Sequence, residues 1–286
     1  MEYTFLTQVH TCILEALARY KFLTTGQLLW LGIMTDRANL NREIKKLRDR
    51  KKPLLATISF GVDPRVGKLE NFHTLTLHGV AYLREQLQLP LDEIKHLKGT
   101  SSVFHRDYFH RLSMINFMIS LDLWSMDQMK EITFFDSYFD TTGNANRDKN
   151  LVSKTRIDIP EHKSLYADGI CMLHSPGQQA LYAVEMYRGK DTARVLQQLR
   201  LYAHALASGA INEKYDHGQA VRVLLIFDQQ SNMESVLEQL ATDPFFEHVR
   251  PYFLLKAYQD ILDPDLLGFW VSGERKVVAL GYALWS

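Results

Sequence analysis

The chain has 286 residues, 46% hydrophobic and 23% charged, with 33 basic against 33 acidic side chains and a net charge of zero. This is a globular composition with room for two modest domains. No run of about 18 apolar residues occurs, and Met-Glu-Tyr-Thr opens without a basic leader, so we expect neither a membrane span nor a signal peptide. Cys12 and Cys171 both sit in apolar patterns, which suits buried thiols of a reducing, cytoplasmic compartment better than a disulfide.

Apolar residues recur at Phe5, Val9, Ile13, Leu17 and Tyr20, a helical period. A second, short helix starts in Leu23–Leu29 with Thr24 or Thr25 as its N-cap, and Thr35 or Asp36 caps a third whose inner face is Leu40, Ile44 and Leu47. Pro53 stops that helix. Leu54–Phe60 and Glu70–Leu77 read as strands joined by Gly61–Lys68, and a helix over His78–Leu89 follows. Three helices, a two-stranded wing and a helix are the order of a winged helix–turn–helix, with the third helix entering the major groove.

That third helix turns Arg37, Asn39, Asn41, Arg42, Lys45 and Lys46 outward, side chains that suit phosphates and base edges. Charge gathers here despite the neutral total. The eleven residues Arg42–Lys52 hold seven basic side chains against Glu43 and Asp49, a local charge of +5. A local patch matters more to a phosphate backbone than the net charge does. A basic helix face can also be merely solvated, and a winged helix can bind protein.

Leu91–Thr100 is a polar connector, so we divide the chain into residues 1–98 and 99–286. Ser101 or Ser102 caps a long helix to about Leu123. Glu131–Phe139 alternates as a strand, and Asp140–Lys154 is a polar loop. Tyr166–Leu173, a turn at His174–Gly177, Ala180–Tyr187 and a helix from Asp191 to about Ser208 then read strand, turn, strand, helix. Ala220–Asp228 is a strand, Met233–Ala241 a helix and Tyr252–Ala257 a last strand.

The hairpin brings Asp168, near the start of its first strand, within reach of Glu185, near the end of its second. Glu185 follows the apolar run Leu181–Val184, so its carboxylate reads as buried and in need of a partner or a metal. Two neighbouring carboxylates favour a divalent cation, Mg²⁺ or Mn²⁺. Hairpins also carry stray carboxylates on a solvent face.

The order helix, three strands, helix, strand, helix, strand resembles the PD-(D/E)XK nuclease core. Its metal-binding Asp and E-x-K motif fall at Asp168 and Glu185. The Q-x-x-x-Y motif of the RecB-like branch is matched by Gln198-Leu-Arg-Leu-Tyr202, and the upstream helical His by His110. Nearly the whole chain also resembles the replication-relaxation family and the MobC-type plasmid mobilisation proteins, through His110-Arg111-Leu112 with Asn116, Ala167-Asp168-Gly169, and Glu185-Met-Tyr-Arg188-Gly189.

The resemblance implies an α+β chain: a winged helix–turn–helix, then a restriction-endonuclease-like domain with a central mixed sheet flanked by helices. It implies a relaxase-like endonuclease that nicks or processes double-stranded DNA at an origin-like site, alongside other relaxosome or replication proteins. A palindromic origin would call for a homodimer. Asp168 and Glu185 would hold Mg²⁺ or Mn²⁺, Lys190 would supply positive charge, and Gln198 and Tyr202 would position the strand. His110 would add a ligand or a phosphate contact. Plain packing is the alternative for His110, Gln198 and Tyr202.

Two residues depart from the family pattern. Ala167 replaces the usual Pro, and Tyr187 stands where the motif has lysine, so that Lys190, Arg188 or Arg194 must supply the charge. Otherwise the core is degenerate, and the protein is a non-catalytic origin-binding accessory or a winged-helix regulator.

Overall fold

A computed structural model describes residues 6–97, 107–143, 151–161 and 163–281. The chain divides into two compact units, Met1–Ile115 and Asn116–Ser286. The expected boundary after residue 98, and the expected caps Ser101 and Ser102, adjoin or lie within a stretch outside the described residues. Among the described residues no helix is long and apolar enough to cross a membrane.

The first unit runs α1 (Gln8–Tyr20), β1 (Leu23–Thr24), α2 (Thr25–Trp30), α3 (Arg37–Arg48), β2 (Leu55–Ile58), β3 (Val62–Asp63), β4 (Gly67–Lys68), β5 (Phe72–Leu75) and α4 (Leu77–Gln86). Each helix begins on a residue that can accept its orphan N–H groups. Thr7, Thr24, Asp36 and Thr76 each cap with a side-chain oxygen. The apolar stripe of α3, Leu40, Ile44 and Leu47, is buried as its spacing predicts.

β5 lies between β1 and β2 in an antiparallel three-stranded sheet. Two details differ from the sequence reading. Leu23–Thr24 forms an edge strand before α2 begins, because its partner is His73–Phe72, some fifty residues away. The linker after β2 closes into its own small hairpin, Val62↔Lys68 and Asp63↔Gly67, with Gly67 at φ +83°. Aromatic rings of Phe22, Phe60, Phe72 and Tyr108 fill the core of this unit.

The helix α5 (Tyr108–Asp127) contains the boundary between the units. The second unit continues with β6 (Glu131–Ser137), β7 (Thr141–Thr142), β8 (Val152–Ser153), β9 (Arg156–Ile157), β10 (Leu165–Tyr166), β11 (Gly169–Ser175) and β12 (Gln178–Tyr187). Then come α6 (Thr192–Ala207), α7 (Ala210–Tyr215), β13 (Arg222–Phe227), α8 (Gln230–Thr242), β14 (Phe253–Ala257), α9 (Tyr258–Ile261), α10 (Pro264–Leu267), β15 (Phe269–Ser272) and β16 (Val277–Ala279).

Seven of these strands form one mixed sheet in the order β16-β15-β14-β13-β12-β11-β6. β12, β13 and β14 are parallel, and the other neighbours antiparallel. The parallel strands read as continuous apolar runs because they are covered on both faces. Leu181, Ala183, Val223, Leu225, Phe227 and Leu255 pack on one face against Val195, Leu199 and Tyr202 of α6 and Val236, Leu237 and Leu240 of α8. Each such apolar side chain, fully buried, contributes about 2 kcal/mol. The strands β15 and β16, at one end of the sheet, were not expected from sequence. The apolar Phe269 and Val277 on them are exposed, so the sequence carries no apolar–polar alternation there.

Candidate functional site

The hairpin β11–β12 sets the site. Its register runs from Ser175↔Gln178, across a turn in which Gly177 takes φ +78°, to Gly169↔Val184. One step further places Asp168 opposite Glu185, and directly opposed residues of an antiparallel pair share a face. Asp168 ends the ladder. Its backbone oxygen accepts from Tyr138 N at 2.9 Å, and its Oδ2 accepts from Met186 N at 2.8 Å. Asp168 is half-buried while Glu185 is 2% exposed, so one carboxyl stands at the mouth and the other behind it.

Helix α6 closes over Glu185. Asp191 caps it, accepting from Arg194 N at 3.0 Å. Arg194, Gln198 and Tyr202 follow at four-residue intervals and therefore share a stripe. Tyr202 is fully buried and its hydroxyl donates to Glu185 Oε1 at 2.5 Å. Gln198 and Asp168 stand near enough to the same carboxyl to act on it, Gln198 favouring its charged form and Asp168 opposing it. Burial first, and then the Asp168 charge, hold the Glu185 carboxyl well above the usual carboxylate range.

Tyr187 lies two residues beyond Glu185 on β12 and so on the same face. Its ring packs on Phe227, with centroids 5.1 Å apart, and its hydroxyl is buried with no hydrogen-bond partner among the described residues. Burial, then the charges of Glu185 and Asp168, push its phenol well above the ordinary range, and Arg194 pulls it back. Arg194, itself exposed, is thus a cation whose charge acts on Tyr187. Lys190 and Arg188 are exposed at the strand–helix junction. That junction is built by Gly189, at φ +105°, and by the buried Asn232, which donates to the Gly189 carbonyl at 3.2 Å and accepts from Thr192 Oγ1 at 2.7 Å.

The structure therefore brings together Asp168, Glu185, Gln198 and Tyr202, and adds Tyr187, Arg194 and Asn232. The spacing of Arg194 from Gln198 was legible in the sequence, whereas the link of Asn232 to Gly189 spans 43 residues and left no local trace. His110 is half-buried near the start of α5, within the first unit. Among the described residues no group of three or more His, Cys, Asp or Glu side chains gathers as a metal-holding cluster. The Asp168–Glu185 pair still fits a hard divalent cation, because two neighbouring carboxyls, the inner one buried, supply oxygen ligands whose charge such an ion would offset.

In the first unit, α3 presents the basic face. Arg37, Asn41, Arg42, Lys45 and Lys46 are exposed and Asn39 is half-buried. Arg37 pairs with Glu70, Lys46 with Glu43 at 2.8 Å, and Arg42 donates to Asn39 Oδ1. Glu43 also meets His10 of α1 at 2.8 Å, which ties α3 to α1. Arg65 and Val66 stand exposed at the tip of the β3–β4 hairpin. Set against known proteins, the chain matches no family model, no curated protein and no solved structure.

Proposed function

We propose that this chain is a DNA-binding protein that nicks or processes phosphodiester bonds with a divalent cation at Asp168 and Glu185. In this reading its first unit is a winged helix–turn–helix and its second a nuclease-like core. The observation that carries it is the pair of facing carboxyls, Asp168 half-buried and Glu185 buried, with Tyr202 donating to the inner one. The resemblance to the replication-relaxation family supplies the setting, an origin-like site in plasmid mobilisation or replication.

Asp168 and Glu185 would hold Mg²⁺ or Mn²⁺, which when bound acidifies a water and shields phosphate charge. Tyr202 fixes the Glu185 carboxyl, so its orientation is set before any ligand arrives. Arg194 supplies positive charge beside Tyr187. The basic face of α3 holds the duplex through phosphate contacts.

Calorimetric titration of Mn²⁺ into the wild type, Asp168→Ala and Glu185→Ala tests the centre. Binding by the wild type that both substitutions abolish is expected, followed by cation-dependent nicking of supercoiled DNA that needs Asp168. Absence of binding, or binding indifferent to both carboxyls, overturns the nuclease reading. One observation favours a second reading. Tyr187 places a neutral, buried phenol where the motif has lysine, as in a core that binds DNA without cutting it. DNA binding that needs Arg42 and Lys45, with no cleavage under any cation, selects this second reading.

A further inference from the structure

A chain of hydrogen bonds runs from the sheet of the first unit to the outer face of α3. Thr57 and His73 are directly opposed on β2 and β5, and Thr57 Oγ1 lies 3.0 Å from His73 Nδ1. On the other side of the ring, His73 Nε2 lies 3.3 Å from Thr25 Oγ1 at the start of α2. Thr25 Oγ1 then donates to Asn41 Oδ1 on α3 at 3.0 Å. Thr25 is 8% exposed and His73 5%, whereas Asn41 is at the surface.

The direction of the chain follows from proton counting. A hydroxyl has one proton to give, and Thr25 gives it to Asn41, so Thr25 must accept from His73. A neutral imidazole carries one N–H, here on Nε2, which leaves Nδ1 to accept from Thr57. Each proton points toward α3. The amide oxygen of Asn41 is thereby held inward, and its NH₂ group is left facing out.

We infer that the Asn41 amide presents a donor and not an acceptor at the exposed face of α3, and that Asn41 is a specificity-determining residue that contacts a hydrogen-bond acceptor of the nucleic acid. This rests on the proposed DNA binding by α3. Asn usually reads adenine with both ends of its amide, the oxygen taking N6–H and the nitrogen giving to N7. Here that bidentate pair is denied, because the oxygen is turned to Thr25. What remains is a donor for a phosphate oxygen, for guanine O6 or N7, for adenine N7 alone, or for thymine O4. Cytosine, which shows only a donor in the major groove, is refused. His73 and Thr57 act through Thr25 as positioning residues.

Two measurements on the full chain test this. Long-range ¹H–¹⁵N correlations of the free protein should show His73 as the Nε2–H tautomer. The Nδ1–H tautomer would reverse the chain and overturn the inference without reference to DNA. Binding to a pool of random-sequence double-stranded DNA is then compared for the wild type, Asn41→Ala, Thr25→Val and the double variant Arg42→Ala, Lys45→Ala. Asn41→Ala should weaken binding roughly fivefold, about one neutral hydrogen bond. A loss spread over all sequences assigns the contact to phosphate, and a loss at one base position assigns it to a base acceptor. Thr25→Val leaves the Asn41 amide free to turn, so selected sequences should gain adenine at that position if a base is read. If phosphate is read, affinity should fall as in Asn41→Ala. Loss of binding in the double variant with Asn41→Ala and Thr25→Val both unchanged overturns this inference alone. No binding by the wild type, or none of it lost in the double variant, overturns the DNA reading as well.

Discussion

His73 makes the most quantitative prediction. Burial first, then the nearby charge of Arg48, lower its imidazole from 6.5 to about 4, with Glu70 acting the other way. Because the folded value is depressed, the neutral ring contributes stability that is present above pH 6.5 and is lost as pH falls toward 4. Each unit of difference is worth about 1.36 kcal/mol, so the full effect is about 3 kcal/mol. Nearly all of that is present at pH 7, and about 2 kcal/mol of it is gone by pH 5. His73→Gln retains one donor and one acceptor and does not titrate. Hydrogen exchange of the amides of α1 and β5 in the full chain, at pH 7 and pH 5, measures the opening free energy of this unit. The wild type should lose about 2 kcal/mol more than the variant between those values. Equal losses, or an imidazole that titrates at its ordinary value, would refute the claim that the ring is buried and neutral.

Glu185→Gln keeps an acceptor for Tyr202 and removes the ionisation. Since the folded carboxyl titrates well above its ordinary value, the wild type loses stability as pH rises from about 4.5 through that higher value. The variant should therefore be the more stable protein at pH 8, with the gap closing toward pH 4, in chemical denaturation followed at both values. Tyr187→Phe deletes a buried hydroxyl that has no partner among the described residues, so thermal unfolding should show it neutral or up to about 1 kcal/mol more stable. A clear loss would mean the hydroxyl is bonded. Gly79→Ala would put a Cβ 2.1 Å from the Leu54 carbonyl oxygen. Because that neighbour is backbone, we expect a cost of about 3 kcal/mol in denaturation midpoint.

Much of the scaffold was legible because it is local. The stripe Leu40, Ile44 and Leu47, the caps Thr24 and Asp36, and the apolar run before Glu185 are all signals within one turn or one strand. The elements that were missed depend on distant partners. β1 exists because Leu23 meets His73, and β16 because Val277 meets Val271. Neither segment carries a period of its own. The same division holds at the candidate site. Asp168 facing Glu185 follows from a hairpin and could be counted out residue by residue, whereas the packing of Tyr187 depends on Phe227 across a parallel pair. The sequence reading put Lys190 forward as the source of charge, with Arg188 or Arg194 as alternatives, and all three are exposed. Of these, Arg194 shares the α6 stripe with Gln198 and Tyr202, while Lys190 precedes the cap.

The two candidate sites share one physical device, a polar group whose freedom is removed by a buried donor. Tyr202 fixes an acceptor, the Glu185 carboxyl, and Thr25 fixes an amide, Asn41. In each case the donor is a hydroxyl with a single proton, so the choice of acceptor is also a choice of orientation. The consequences differ because the surroundings differ. Glu185 is enclosed beside a second carboxyl, and burial and that neighbour raise the cost of its charge and favour a proton or a cation there, while the Tyr202 bond acts the other way. Asn41 stands in water beside Arg42 and Lys45, so its fixed orientation costs little and selects among ligands instead. Removing the donor should accordingly have different effects at the two places. Tyr202→Phe should cost about 1–3 kcal/mol of stability, the penalty for a buried acceptor left without its partner. Thr25→Val should cost less in stability than in sequence preference, because the Asn41 amide it releases can bond to solvent. Equal stability losses in the two variants would show that Asn41 is held by packing and not by the hydroxyl.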